Sequence, residues 1–367
     1  MLIKKKEIAL LLIFLSLVVT NLFAENYYFK RYDKENGLSQ QTVFCAVQDR
    51  RGFLWFGTKV GLNRFDGTKF KNYVADPEQP NSLPNNTVLA LAEAPDGSLW
   101  LGTSDGLCIY NPEKDTFAPF VSADLTIEGL IDNLVFDKQG NLWVINSKGI
   151  YCLDVKNGNH KFFSASDFFV PTGITVTQSG SVWVLGLDGN IYLFNPQRME
   201  FSFYPILTKE EKTKHILLYR ILECSNGDLV VTTDRIGARR FSPNNGEVKV
   251  LFSNDSQNNP IYIHTAIQRN KDEFWFGTES GIHIYQLDLG FIDHLQKSYN
   301  DAYSLSDNAV HMLLKDREEG IWVGTFFGGV NYLSNNNTLF DKYLPKDEKG
   351  SIKANVIRES RVTDYAK

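Results

Sequence analysis

Motifs for covalent chemistry are what this sequence most conspicuously lacks. Its 367 residues contain no H-E-x-x-H pair and no glycine-rich phosphate loop after a strand. The common signatures of zinc proteases and nucleotide enzymes are therefore missing. Asp137-Lys138-Gln139-Gly140-Asn141 opens like a calcium loop but has no bidentate Glu at its end, so it reads as a hairpin turn. Cysteine is scarce: Cys45, Cys108, Cys152 and Cys224 sit in apolar strand runs, with neither C-x-x-C nor a zinc spacing. They read as small core residues. A disulfide stays open as the alternative, since Cys108 and Cys152 occupy similar places in successive units. Helical periodicity is nearly absent.

Long apolar runs are absent too, apart from Ile8 to Val19. Preceded by Lys4-Lys5-Lys6 and followed by Ala24, that run marks residues 1–24 as a secretory signal peptide. It is too short to span a bilayer comfortably, although an uncleaved anchor is the alternative. Neither sign of charge dominates: 38 Lys and Arg face 43 Asp and Glu. Without the leader's three lysines and Glu7 the balance is 35 to 42, a net charge of −7. A mildly acidic surface argues against nucleic acid or anionic membrane as partners.

What the chain does contain is a repeat. A turn, an apolar anchor, a second turn and an apolar run return seven times. The anchors are Trp55, Trp100, Trp143, Trp183, Val230, Trp275 and Trp322, spaced by 45, 43, 40, 47, 45 and 47 residues. All six tryptophans fall on this position. A period near 45 indicates stacked supersecondary units. Each unit reads as four short strands, beginning with runs such as Val43 to Val47 and ending on an outer strand such as Phe70 to Tyr73. A lone four-stranded meander exposes both faces, and radial stacking covers them. The expected fold is all-β, a seven-bladed β-propeller over residues 25–334.

In such a ring the anchors lie where blades meet. Burying an indole removes about 150–250 Å² from water, so replacement by Ala should cost about 3–5 kcal/mol. The turn glycines Gly52, Gly97, Gly140, Gly180 and Gly227 serve tight hairpins that need positive φ. Unit seven has only three strands of its own. Tyr27 to Tyr32 is expected to supply the fourth and close the ring, with Phe340 to Tyr343 as a rival.

Candidate site residues follow from this geometry. Turns between second and third strands share a face with the long loops joining blades, such as Ala75 to Asn86. They place Lys59, Asp105, Lys148, Asp188, Arg235, Glu279, Phe326 and Phe327 on that rim. Aromatic faces with charged neighbours suit carbohydrate or peptide, although each residue alone is also ordinary loop surface. His264 and His311 fall in first-strand runs near the channel, either as hydrogen-bonded channel residues or as catalytic or metal-binding groups. The other histidines are His160, His215, His283 and His294. Asp316, Glu318 and Glu319 read as a solvated turn rather than a glycosidase pair. Unit five departs from the pattern, with Val230 for Trp, Asp234 to Arg240 after it and a charged insert, Lys209 to Lys214, before it. Such a departure marks either function or drift of one blade.

The stretches W-F-G-T-K-V-G-L-N-R-F-D, N-G-L-S-Q-Q-T-V and L-P-N-N-T-V-L-A-L-A-E-A-P-D-G-S-L-W resemble the two-component regulator propeller repeat. The resemblance covers about residues 26 to 345 and is strong in units one, two, six and seven. It implies the periplasmic sensor region of a hybrid two-component histidine kinase of the kind typical of gut Bacteroidetes. Family members usually carry two propellers, an immunoglobulin-like domain, a membrane helix, a kinase, a receiver and a helix-turn-helix domain. They sense glycan breakdown products and regulate polysaccharide-utilisation genes. By this resemblance, residues 335–367 begin a further, truncated repeat, and the chain is an N-terminal piece left by engineering, a gene split or a frameshift. The resemblance thus implies an oligosaccharide ligand, the remaining sensor and kinase domains as partners, and a homodimer. No catalytic residue, cofactor or metal is expected, nor membrane contact after leader removal. The rivals are an exported propeller enzyme, a lyase or glycosidase, and a stand-alone interaction platform.

Overall fold

The computed structural model describes residues 27–122, 124–255 and 257–335. The expected leader and, apart from Asn335, the expected further repeat with its rival closing strand lie outside the described residues. Seven four-stranded antiparallel sheets form seven blades. Six are consecutive meanders, starting with Val43–Gln48, Leu54–Thr58, Gly61–Phe65 and Phe70–Tyr73. The seventh joins Val310–Lys315, Ile321–Thr325 and Val330–Leu333 to Lys30–Tyr32 from the other end of the chain. Its register pairs Lys30 with Tyr332, Arg31 with Asn331 and Tyr32 with Val330. The N-terminal strand thus closes the ring. Each innermost strand touches the next, and Val43–Gln48 touches Val310–Lys315.

The anchors explain why the sheets stack. Trp55 packs among Val88, Leu101 and Tyr110 of blade two, and Trp100 among Leu134 and Val144 of blade three. Trp143 meets Val184 and Tyr192 of blade four, and Trp183 meets Leu218 and Val231 of blade five. Val230, Trp275 and Trp322 continue the series onto Phe276, Val323 and Phe56. All seven are buried.

An indole so placed must satisfy its N–H. Trp55, Trp143 and Trp322 donate to Asp49, Asp137 and Asp316, six residues earlier, at 2.9, 2.9 and 2.8 Å. The second oxygen of each carboxylate accepts two amides of the preceding turn, as Asp137 does from Gln139 and Asn141. The calcium-like run at Asp137 is therefore a turn that carries a tryptophan, and Asp316 has the same duty in blade seven.

The glycine two places after Trp55, Trp100, Trp275 and Trp322 answers to close packing rather than to φ. A Cβ on Gly277 would meet Val310 Cγ1 of the next blade at 2.6 Å, and one on Gly324 would meet Val43 Cγ1 at 2.9 Å. The four cysteines are free, and burial pushes each thiol up to about 12. Among the described residues no helix is long and apolar enough to cross a membrane.

Candidate functional site

The innermost strands all begin at the loop face, so the residue eleven places before each anchor forms a ring at the channel mouth. These residues are Phe44, Leu89, Asp132, Thr172, Tyr219, His264 and His311, and each keeps some exposure. Two neighbouring regions of that face are chemically distinct.

The first is a cleft of about 860 Å³ over blades two to five. Asp105, Glu128, Asp132, Lys148, Thr172 and Tyr219 are among its lining residues. Asp105 and Lys148, both rim candidates, thus share one wall system. Lys148 Nζ lies 3.6 Å from Glu128 Oε2, an exposed pair of little energetic weight. Three carboxylates against one ammonium leave the cleft acidic. Tyr219 bridges to the second region, its ring edge-on to His264 at 5.8 Å.

The second region lies where blades six and seven meet. His264 Nε2 stands 2.5 Å from Glu279 Oε1, and His311 Nε2 stands 3.7 Å from the same oxygen. The two imidazoles stack with centroids 4.2 Å apart. The Phe326 ring packs 5.2 Å from His311, and Phe327 packs on Phe326 while remaining 70% exposed. Glu279, Phe326 and Phe327, predicted singly on the rim, therefore converge with two histidines. Burial, then the neighbouring His264, hold the His311 pKa down at about 4, against the opposing pull of Glu279 and Asp307. Arg220 closes the floor, donating to the His264 carbonyl at 3.1 Å and to Asn133 Oδ1 at 3.2 Å.

The remaining rim candidates do not join either region. Lys59 is an exposed turn residue of blade one. Asp188 is committed to its own turn, accepting from the Tyr192 hydroxyl at 2.7 Å and the Asn190 amide at 3.2 Å. Arg235 donates to the His215 carbonyl at 2.8 Å and tethers the insert before blade five. That insert is a short helix, Lys209–Thr213, whose Glu211 pairs at 2.6 Å with the buried Arg239. The departures of blade five thus serve packing. Glu128 and Tyr219 are site residues that sequence reasoning missed. Aligning the repeats on their anchors would have placed Tyr219 in the same ring as the two histidines.

The two-component regulator propeller model matches residues 37–59, 82–105 and 304–327, within units one, two and seven. Unit six, despite its E-F-W-F-G-T, lies outside those spans. A histidine kinase of Formosa agariphila is 49% identical over 53 residues, 14% of this chain and 4% of the kinase. The extracellular domain of a hybrid two-component system of B. thetaiotaomicron superposes with a TM-score of 0.72 at 26% identity. The match covers 85% of this chain and 42% of that one. Virginiamycin B lyase from Staphylococcus aureus shares the fold, with a TM-score of 0.65 at 12% identity over 84% of this chain and 99% of the lyase. The chain therefore spans less than half of the two-component relatives it matches.

Proposed function

We propose that this two-component regulator propeller, akin to the extracellular domains of hybrid two-component systems, is a periplasmic sensor module that binds glycan-derived oligosaccharides. The observation that carries the reading is the repeat match together with a continuous loop-face surface, acidic over blades two to five and aromatic over blade seven. Sugar rings stack on aromatic faces through their C–H surfaces, while carboxylates accept their hydroxyls. Asp105, Lys148, Glu279, Phe326 and Phe327 are the contact residues assigned on this reading. The bound state is relayed as a rigid-body change, in a homodimer, to the further sensor and kinase domains of a parent protein that regulates polysaccharide-utilisation genes. Calorimetry of the chain against a panel of oligosaccharides tests this. Saturable binding that weakens in Phe327→Ala is expected, and the absence of any binding sugar overturns the ligand class.

A second reading has one specific observation behind it. His264 within hydrogen-bond distance of a carboxylate at an open mouth is an arrangement that a general base requires. On that reading the chain is an exported lyase or glycosidase. Release of an unsaturated or hydrolysed product from the same panel, abolished in His264→Asn, would establish it over the sensor.

A further inference from the structure

We propose that His264, Glu279 and His311 form a binding site for a zinc-class transition-metal ion at the junction of blades six and seven. Their three ligand atoms lie within 4.8 Å of one another. Two imidazole nitrogens and one carboxylate oxygen are a ligand set that zinc accepts, with a fourth position left for water or a bound molecule. Bonds of about 2.0–2.1 Å at tetrahedral angles put ligand atoms about 3.3 Å apart. The observed 2.5 and 3.7 Å separations from Glu279 Oε1 straddle that value. A small rotation of the Glu279 carboxylate, which is 53% exposed, would equalise them.

The scaffold favours a defined site over a chance meeting of side chains. The histidines occupy equivalent positions 47 residues apart, on the innermost strands Ile263–Gln268 and Val310–Lys315, which lie side by side. Both are about four-fifths buried at the side chain. Tyr219 and Phe326 wall their rings. His311 Nε2 faces the shared Glu279 oxygen beyond hydrogen-bond distance, so an ion between them would satisfy what the protein alone leaves loose. Arg220, a nearby cation, turns its head toward the His264 carbonyl and Asn133.

The alternative is a plain His–Glu hydrogen bond with no ion. The nitrogen and oxygen donors suit zinc or its neighbours in the affinity order, not magnesium or calcium, which prefer all-oxygen shells.

The test uses the full chain, stripped with a chelator and titrated with zinc by calorimetry, with cobalt substituted as a visible-absorbing reporter. One equivalent per chain is expected, with a rise in Tm and cobalt bands of a four- or five-coordinate ion. His264→Asn and His311→Asn should each weaken zinc binding at least about tenfold, the least that loss of even an outer partner costs at such sites. His294→Asn, outside the site, should not. Metal-free melting of each variant separates lost affinity from lost folding. The absence of stoichiometric zinc binding, or binding unchanged in the His264→Asn/His311→Asn double variant, would overturn the site. Neither result bears on whether an oligosaccharide binds, so the two proposals fail separately.

Discussion

In blades one, three and seven, a tryptophan and the carboxylate six residues before it are the smallest unit from which the packing can be understood. The indole fills the gap between blades, and the Asp makes its burial affordable while holding the hairpin turn. Where the anchor is Val230, the space is used differently. Arg240 reaches Asp228 instead, and Phe241 packs edge-on to Trp183 at 5.7 Å. Val230 is fully buried. Val230→Trp, which restores the repeat, should therefore destabilise by about 1–3 kcal/mol, because an overpacked core strains its neighbours. Chemical denaturation decides it, and a stabilised variant would show that blade five has merely drifted. His283 is a residue whose titration bears on folding. Burial, then the charge of the stacked His294, lower its pKa from 6.5 to about 4, with Asp255 opposing. The unfolded chain therefore takes up this proton first as pH falls. The contribution is present in full above about pH 6.5 and is lost progressively toward pH 4. Denaturation midpoints measured across that range should fall with acid, and His283→Gln should flatten part of the slope, with His311 supplying a further part.

At the scale of the element, the strands were legible because their pattern is local. Short alternating runs bounded by glycine turns announce a hairpin, and the N-terminal strand was identifiable because blade seven lacked one. The insert before blade five was not legible as structure. Lys209–Thr213 is a single turn of helix with no apolar stripe, stabilised by a capping box in which Thr208 and Glu211 exchange hydrogen bonds. Its purpose is tertiary: Glu211 neutralises Arg239, which is 2% exposed in the third strand of the blade. Removing one partner of a buried pair leaves the other charge without compensation. Glu211→Ala should cost about 3–5 kcal/mol, whereas the exposed Glu210→Ala should cost under about 1 kcal/mol. Equal losses in thermal or urea melts would show that the pair is not what holds the insert down. The candidate site was half legible for the same reason. Each rim residue could be assigned to a turn, but which turns share a wall depends on the rotation between blades, and that is written in packing. The histidine pair did leave a trace, since His264 and His311 each precede an anchor by eleven residues.

The whole ring differs from an open repeat array in one respect: its first and last described strands belong to the same sheet. An open solenoid sums local stabilities and frays from its ends, whereas a closed ring has no end to fray. Here closure rests on few residues. Phe29 N–H donates to the Tyr303 carbonyl at 2.8 Å, Tyr32 stacks on Trp322 at 5.8 Å, and Arg31 Nη2 donates to the Ser304 carbonyl and hydroxyl at 2.9 and 3.1 Å. Arg31→Ala should therefore lower stability by about 1.5–3 kcal/mol, the worth of hydrogen bonds made by a charged group, and leave the protein monodisperse. Deleting residues 27–32 should do something different in kind. It uncovers the Val330–Leu333 edge and half of the Trp322 pocket, so unfolding should lose cooperativity and the edge should recruit other chains. Urea titration and size-exclusion chromatography of the two variants distinguish the cases. Should the deletion unfold in one sharp transition with no self-association, the strand would be an ornament on a ring held shut by its innermost strands alone.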